Sequence, residues 1–408
     1  MALARPRWIG DEARDPTALH LSMLAALLFL PLGLHLPYFS VWLAARGLTD
    51  AQIAATLATP LVLRVVTTPL IAAMADKRGI GLILAICAAM LLAGYCSLAL
   101  VNGFAPIFAG ALVVALAMGS MPSLADALTL NEARRAELAG SRRIAYGHIR
   151  VWTSIGVLAM MLLSGRIVEI FSGDRIIFAL AIAAVPSLCV AVLTAAKMGG
   201  TEIHHKLKGS GLTADPARLR LAIVGICAAA LIQSSHAEVY SFATINWRKA
   251  GFPPDLISIA WALGVVSESV VFVVVGRFFR TDKNAIAFLV IGAAGAALRW
   301  IAMSFDPGAF SVLALQTMHG LSFGATTYGG VLLLGGLALP THRARMQGWL
   351  AAASSLSLAA ATFVSGKLTG QFGERAYLAM AGLAGAGLLL ALAAGALKRR
   401  LPSSSFGG

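Results

Sequence analysis

The sequence predicts an all-α protein that crosses a membrane many times. Of its 408 residues, 59% are hydrophobic and 12% charged, and the mean hydropathy is +0.82. That is too little polar material to cover a soluble body of this size. Apolar runs of about 18 residues or more recur along the chain, each long enough to cross roughly 30 Å of hydrocarbon as a helix. The runs are continuous and lack the two-residue alternation of a membrane β-barrel.

Twelve spans emerge, over 19–44, 51–75, 80–101, 104–129, 143–164, 173–197, 219–245, 255–279, 284–304, 308–338, 343–370 and 374–397. A charged arm, 1–18, precedes the first span, which is too long for the core of a secretory signal and reads as a retained helix. Pro31 and Pro37 fall in the first span, Pro60 and Pro69 in the second, Pro122 in the fourth and Pro186 in the sixth. The tenth span is glycine-rich between Gly320 and Gly336. Such breaks are tolerated where neighbouring helices or a wet cavity satisfy the freed backbone groups. The longest internal polar stretch, 198–218, reads as a flexible cytoplasmic linker. It divides the chain into two six-helix halves, 19–197 and 219–397, followed by a short cytoplasmic tail, 398–408.

The net charge is +14. In a soluble chain that excess would point to nucleic acid; here basic loops that orient the helices account for it, and no nucleic-acid partner is expected. With the N-terminus inside, most of the 32 Lys and Arg fall in the inside segments. The opposite loops hold only Arg46, Arg166, Arg175, Arg248, Lys249, Lys367 and Arg375. Both termini are therefore placed in the cytoplasm, with the chain in the cytoplasmic (inner) membrane. His204–His205 in the linker lacks companion ligands and reads as solvated loop. Cys87, Cys96, Cys189 and Cys227 all lie in apolar runs and read as small hydrophobes. No metal and no cofactor is expected.

Three arginines stand inside the membrane: Arg64, Arg150 and Arg299. Charges there are costly and mark function by default. Asp126 and Arg150 lie at equal distances from the basic turn between spans four and five. Each sits about 12 Å into its helix, so the two can pair on adjacent helices. A guanidinium fork suits a carboxylate substrate, and Asp126 suits hydroxyls. Arg64 stands near mid-span with no acid in its own helix and reads as a cavity or gate position. The second half carries His236, Glu238 and Tyr240 in span seven, Glu268 in span eight, Arg299 in span nine and His319 in span ten. An acid, an arginine and histidines on successive helices can form a proton relay, because burial and a neighbouring cation push a carboxyl's proton affinity in opposite directions. Trp42 and Trp300 could be interfacial anchors, and Trp152 and Trp261 sit deeper, where they could stack on a ring; core packing accounts for each of the four at least as well.

The stretch "AAMADKRG", 72–79, resembles the Gly-x-x-x-Asp-Arg/Lys-x-Gly loop of the major facilitator superfamily, with Ala72 in place of the first glycine. The resemblance makes Asp76, Lys77, Arg78 and Gly79 a conformational loop. It also implies two halves rocking about a central midplane site by alternating access, in a protein that works as a monomer. The stretches "YGHIRVWTSIG" (146–156), "LIQSSHAEVYSFATINWRKAGF" (231–252), "WALGVVSESVVF" (261–272), "ALRWIAM" (297–303) and "LQTMHGLSFG" (315–324) resemble the phenylpropionate permease family of that superfamily. This implies proton-coupled uptake of a small organic solute such as an aromatic carboxylate, with no enzymatic chemistry.

A more distant resemblance to the lactose permeases assigns substrate contact to Asp126 and Arg150, and coupling to Arg299 and His319. Those permeases carry a glutamate one turn after that histidine. Here the position is Ser322, so proton carriage passes to Glu268, with Glu238 as second candidate. Arg64, Trp152, His236 and Tyr240 complete the expected substrate set. Three membrane arginines face three membrane acids, which leaves a neutral sugar or nucleoside as the alternative substrate. Proton-driven exporters of the superfamily carry a proline motif in span five; "SIGVLAMMLLSG" has none, which argues against export.

Overall fold

The structure is a computed structural model that describes residues 15–138, 144, 146–198, 215–278, 284–338 and 342–400. The expected arm and tail lie mostly outside the described residues, as do most of the linker, with its His204–His205 pair, and Arg142 of the basic turn.

Among the described residues twelve helices follow one another: α1 Pro16–Ala45, α2 Asp50–Arg78, α3 Ile80–Leu100, α4 Phe104–Leu138, α5 Tyr146–Ile170, α6 Ile176–Lys197, α7 Pro216–Lys249, α8 Pro254–Phe278, α9 Ala285–Met303, α10 Ala309–Leu337, α11 Arg343–Phe372 and α12 Tyr377–Arg400. No strand occurs among the described residues. Among the described residues eleven stretches are long and apolar enough to cross a membrane. The last of these, Arg345–Arg400, holds both α11 and α12, which part at a 3-10 turn where Gly373 adopts φ 56°.

Several helices outrun the apolar runs that announce them. The chain stays helical into the polar flank wherever donors are capped, as at Asp15 before α1 and Asp215 before α7, whose carboxylates accept from the first free amides. The linker therefore gives way to helix at Pro216. The 72–79 motif is corrected in the same way. Asp76, Lys77 and Arg78 are not in a loop but occupy the last exposed turn of α2, and only Gly79, at φ 91°, breaks the helix. That backbone conformation favours glycine, which explains the residue at the end of the motif.

Three helices are interrupted. α1 turns at Phe29, immediately before Pro31 removes a donor. α10 passes through a π-helical segment, Gly320–Ala325. α7 breaks at Ser235–His236 without any proline or glycine. There the Ser234 and Ser235 hydroxyls donate to the carbonyls of Leu231 and Ile232, and the His236 ring reaches those of Ile232 and Gln233. Side chains thus serve the Ile232 carbonyl, while those of Leu231 and Gln233 also accept from the Ser235 and His236 amides.

The chain forms two compact units. One comprises residues up to Gly47 and Val66–His204; the other comprises Leu48–Val65 and the chain from His205 onward. In the first, α1 packs on α5 and α6, and α3 on α4 and α6. In the second, α12 packs on α7 and α9, α11 on α7, and α8 and α9 on the π segment of α10. Helices in lipid gain no hydrophobic drive from meeting each other, so close backbone approach does the work. Gly33 and Gly156 serve it in the first unit, where a Cβ on Gly33 would stand 2.8 Å from the Met161 nitrogen. Large apolar side chains such as Leu70, Val273 and Leu389 stay exposed on the outer faces, as a lipid environment allows.

Candidate functional site

In the first unit the structure brings Asp126 and Arg150 together. Nη1 of Arg150 donates to Asp126 Oδ1 at 2.8 Å, and the side chains remain 45% and 32% exposed for Arg150 and Asp126. The pair is open enough to meet a ligand and already internally neutral. A small cavity adjoins it, lined by Leu21, Leu24 and Ala25 of α1, Ala125 and Thr129 of α4, and Tyr146, Ile149 and Thr153 of α5. Tyr146 lies within electrostatic reach of both Asp126 and Arg150, so the pair has a phenol beside it. Apolar walls with a few convergent polar groups are the usual make-up of a small-molecule site. Trp152 is exposed on α5. Arg64 is exposed on α2, with no ion pair among the described residues.

The second unit holds a buried polar cluster around Arg299, which is 1% exposed. Its Nη1 donates to His319 Nδ1 at 3.1 Å and to Ser322 Oγ at 3.3 Å, and its Nη2 to Gln316 Oε1. Its guanidinium carbon lies 4.6 Å from the centre of the Trp300 ring, a cation–π contact of about 2 kcal/mol when desolvated. The Nε has no partner, and no carboxylate forms an ion pair with Arg299 among the described residues.

This geometry sets the histidine tautomers. An arginine only donates, so His319 Nδ1 accepts, and the neutral ring carries its proton on Nε2. That Nε2 faces Glu268 Oε2 at 3.8 Å and the Tyr240 hydroxyl at 3.5 Å. His236, fully buried, uses Nδ1 toward backbone carbonyls, which leaves Nε2 to accept from Ser322 Oγ at 3.0 Å. Ser322 therefore bridges His236 and Arg299. The π segment is what brings it there, since widening the helix turns Ser322 and His319 toward the same guanidinium. Such segments recur at functional sites.

Of the expected residues, the structure joins His236, Tyr240, Glu268, Arg299 and His319 in one cluster. His236 and Tyr240, expected in the substrate set, contact Ser322 and His319 of the buried Arg299 cluster. Glu238, expected as the second proton carrier, has the Thr369 hydroxyl of α11 against its carboxylate, at 2.8 and 2.9 Å. Trp42 and Trp300 follow the core-packing alternative: both are fully buried, and their N–H groups donate to the Asp174 carbonyl and the Ser235 hydroxyl. Trp261 is buried too and donates to Thr244. Sequence reasoning missed Ser235 and noticed Ser322 only as the place where a glutamate is lacking, since an isolated Ser in an apolar span carries no signal of its own. It also missed a part-buried pair in the first unit, Tyr95 Oη and His35 Nδ1 at 2.9 Å, with His35 stacked on Phe39.

Comparison with known proteins fits this arrangement. Residues 18–379 match the model of the MFS_1 like family. The chain is similar to the "Probable 3-phenylpropionic acid transporter" of Escherichia coli (strain K12), at 27% identity over 293 residues, covering 71% of this chain and 75% of that one. In fold it is similar to the crystal structure of the nucleoside transporter NupG, with TM-score 0.73 and 21% identity over 94% of this chain and 99% of the other. It is likewise similar to that of a POT family transporter in complex with 5-aminolevulinic acid, with TM-score 0.71 and 13% identity over 96% of each chain. The chain belongs to the MFS_1 like family: it is a multi-pass membrane transporter of the major facilitator fold, akin in sequence to the phenylpropionate permeases, and not an enzyme.

Proposed function

We propose that the protein is a proton-coupled symporter that takes up a small organic solute such as an aromatic carboxylate, by alternating access, across the cytoplasmic membrane. In this reading it works as a monomer with both termini in the cytoplasm, an orientation argued from the bias of Lys and Arg between loops. The observation that carries the coupling is the cluster in which Arg299 holds His319 with its Nε2 proton facing Glu268 at 3.8 Å. A carboxyl at the end of such a chain gains or loses a proton with small changes in distance from the cation. Glu268 is the carrier, while Arg299 and His319 set its environment, with His236 and Tyr240 packed against them. Asp126 and Arg150 bind the solute beside the apolar cavity, helped by Trp152 and Arg64. Asp76 to Gly79 mark the end of α2 that exchanges partners as the protein changes state.

The aromatic carboxylate draws on the likeness to the probable 3-phenylpropionic acid transporter and on the fork of Arg150, which has nitrogens to spare beyond Asp126. One observation favours a neutral polyhydroxylated solute, a sugar or nucleoside, instead: Asp126 already neutralises Arg150. Uptake into proteoliposomes under an imposed inward proton gradient separates these readings. Labelled 3-phenylpropionate, benzoate, a disaccharide and a nucleoside are compared with and without the gradient, in the parent protein and in Glu268→Gln. Gradient-driven accumulation of one compound, lost in the variant while gradient-independent exchange persists, is expected. Full proton-driven uptake by Glu268→Gln would remove Glu268 as carrier.

A further inference from the structure

Glu238 is fully buried at the start of the second segment of α7 and takes no part in the Arg299 cluster. Its surroundings can be counted in protons. Thr369 Oγ1 lies 2.8 Å from Glu238 Oε1, 2.9 Å from Oε2 and 2.8 Å from the carbonyl oxygen of Ser365. A threonine hydroxyl has one proton to give. With an ionised Glu238, that proton serves either the carboxylate or the carbonyl, and the other contact is left as two facing acceptors. With a protonated Glu238, the acid donates to Thr369 Oγ1, which donates to Ser365 O, and both contacts are bridged.

The remaining neighbours add no cation. Ser365, also on α11, offers a hydroxyl, while Asp50 on α2 and Glu374 in the 3-10 turn are acids that oppose a charge on Glu238. Tyr377 of α12 lies within electrostatic reach of Glu238, Glu374 and Arg299. It is fully buried, and its hydroxyl has no hydrogen-bond partner among the described residues. An isolated carboxylate in such a place is heavily penalised.

The same stretch of α11 is where that helix meets the start of α2. Gly366 and Gly370 flank Thr369, and a Cβ on Gly366 would stand 2.7 Å from the Asp50 carbonyl oxygen, with Ala54 closer still. Gly370 would meet the Asp50 carboxylate at 3.5 Å. We propose that Glu238 is a second proton-binding site, separate from Glu268, and that its proton keeps α11 seated on the first turns of α2. Loss of the proton sets a carboxylate facing Asp50 and Glu374, the latter with Lys249 in electrostatic reach, and the like charges drive α2 from α11. This goes beyond the proposed symport and is tested without any solute, so failure of one reading leaves the other standing.

The test places a single cysteine at Ile53, a fully buried residue in the first turn of α2, in protein whose four native cysteines are replaced. Labelling by a membrane-impermeant maleimide is measured against pH and normalised to the denatured protein at each pH. The labelled fraction is expected to rise several-fold with pH in the parent and to stay low and flat in Glu238→Gln, whose amide mimics the protonated acid. Difference infrared spectra should lose one protonated-carboxyl band in Glu238→Gln that Glu268→Gln retains. An unchanged labelling profile in Glu238→Gln, or no lost band, overturns the proposal. Should Glu238→Gln not fold, Thr369→Val serves: removal of the hydroxyl must shift that band toward a free acid, and an unmoved band is equally fatal.

Discussion

Replacement of Ser322 by alanine tests whether the π segment works as described. The Ser322 hydroxyl contacts both His236 Nε2, at 3.0 Å, and Arg299 Nη1, at 3.3 Å. Its loss leaves the His236 acceptor unsatisfied in a fully buried site. It also reduces the acceptors of Arg299 to His319 and Gln316, with Nε already unpartnered. In a soluble core an unsatisfied acceptor costs about 1–3 kcal/mol and a hydrogen bond from a charged donor contributes roughly 1.5–3. Within membranes, hydrogen bonds measured by double-mutant cycles average about 0.6 and reach about 1.7 kcal/mol. The long 3.3 Å contact belongs at the weaker end. A loss of about 1–3 kcal/mol is therefore expected, and the weaker hold on His236 and on Arg299, which positions His319, should slow proton-driven uptake about tenfold for each 1.4 kcal/mol lost from the coupled state. The assay is a double-mutant cycle of Ser322→Ala with His236→Phe, read by equilibrium unfolding in mixed micelles and by uptake. A coupling of at least about 0.5 kcal/mol is expected for residues in contact. If the two substitutions are simply additive and Ser322→Ala transports normally, the bridging role of Ser322 is refuted.

Two further substitutions probe the other sites. Gly320→Ala would place a Cβ 2.7 Å from the Ser267 carbonyl carbon and 2.9 Å from Val271 Cγ2. α8 must then back away from α10, carrying Glu268 from His319; overpacking of this kind costs about 1–3 kcal/mol. A lower midpoint of thermal unfolding and uncoupled uptake should appear together, and retention of both normal values would show that the helix contact does not set the Glu268–His319 distance. Arg150→Lys keeps the charge but loses the fork that Asp126 and a carboxylate solute would share. A KM raised about tenfold for the carboxylate with the maximal rate preserved corresponds to roughly 1.4 kcal/mol of binding, whereas an unchanged KM removes Arg150 from carboxylate recognition.

The architecture was open to sequence reasoning because lipid leaves few choices. Each apolar run must satisfy its backbone internally, so a helix over every run follows from hydropathy alone. The intramembrane charges could be named for the same reason: Arg150, Glu268, Arg299 and His319 stand out against an apolar background. The depth argument that paired Asp126 with Arg150 needed only the rise of a helix, and the two do meet. Tertiary structure alone decided the rest. The break in α7 arises where serine and histidine side chains supplant backbone donors, a choice that depends on what surrounds them. Whether Trp300 anchors at a surface or lies beneath Arg299 depends on which face of α9 is covered. Glu238 and Glu268 read alike along the chain, yet one lies against Thr369 and the other near His319. Composition and periodicity determined that this chain is a bundle of membrane helices carrying buried charge. Which charge meets which was settled by helix packing, because a partner's identity depends on rotation about the helix axis, and an apolar sequence specifies that rotation only through the small residues where helices touch.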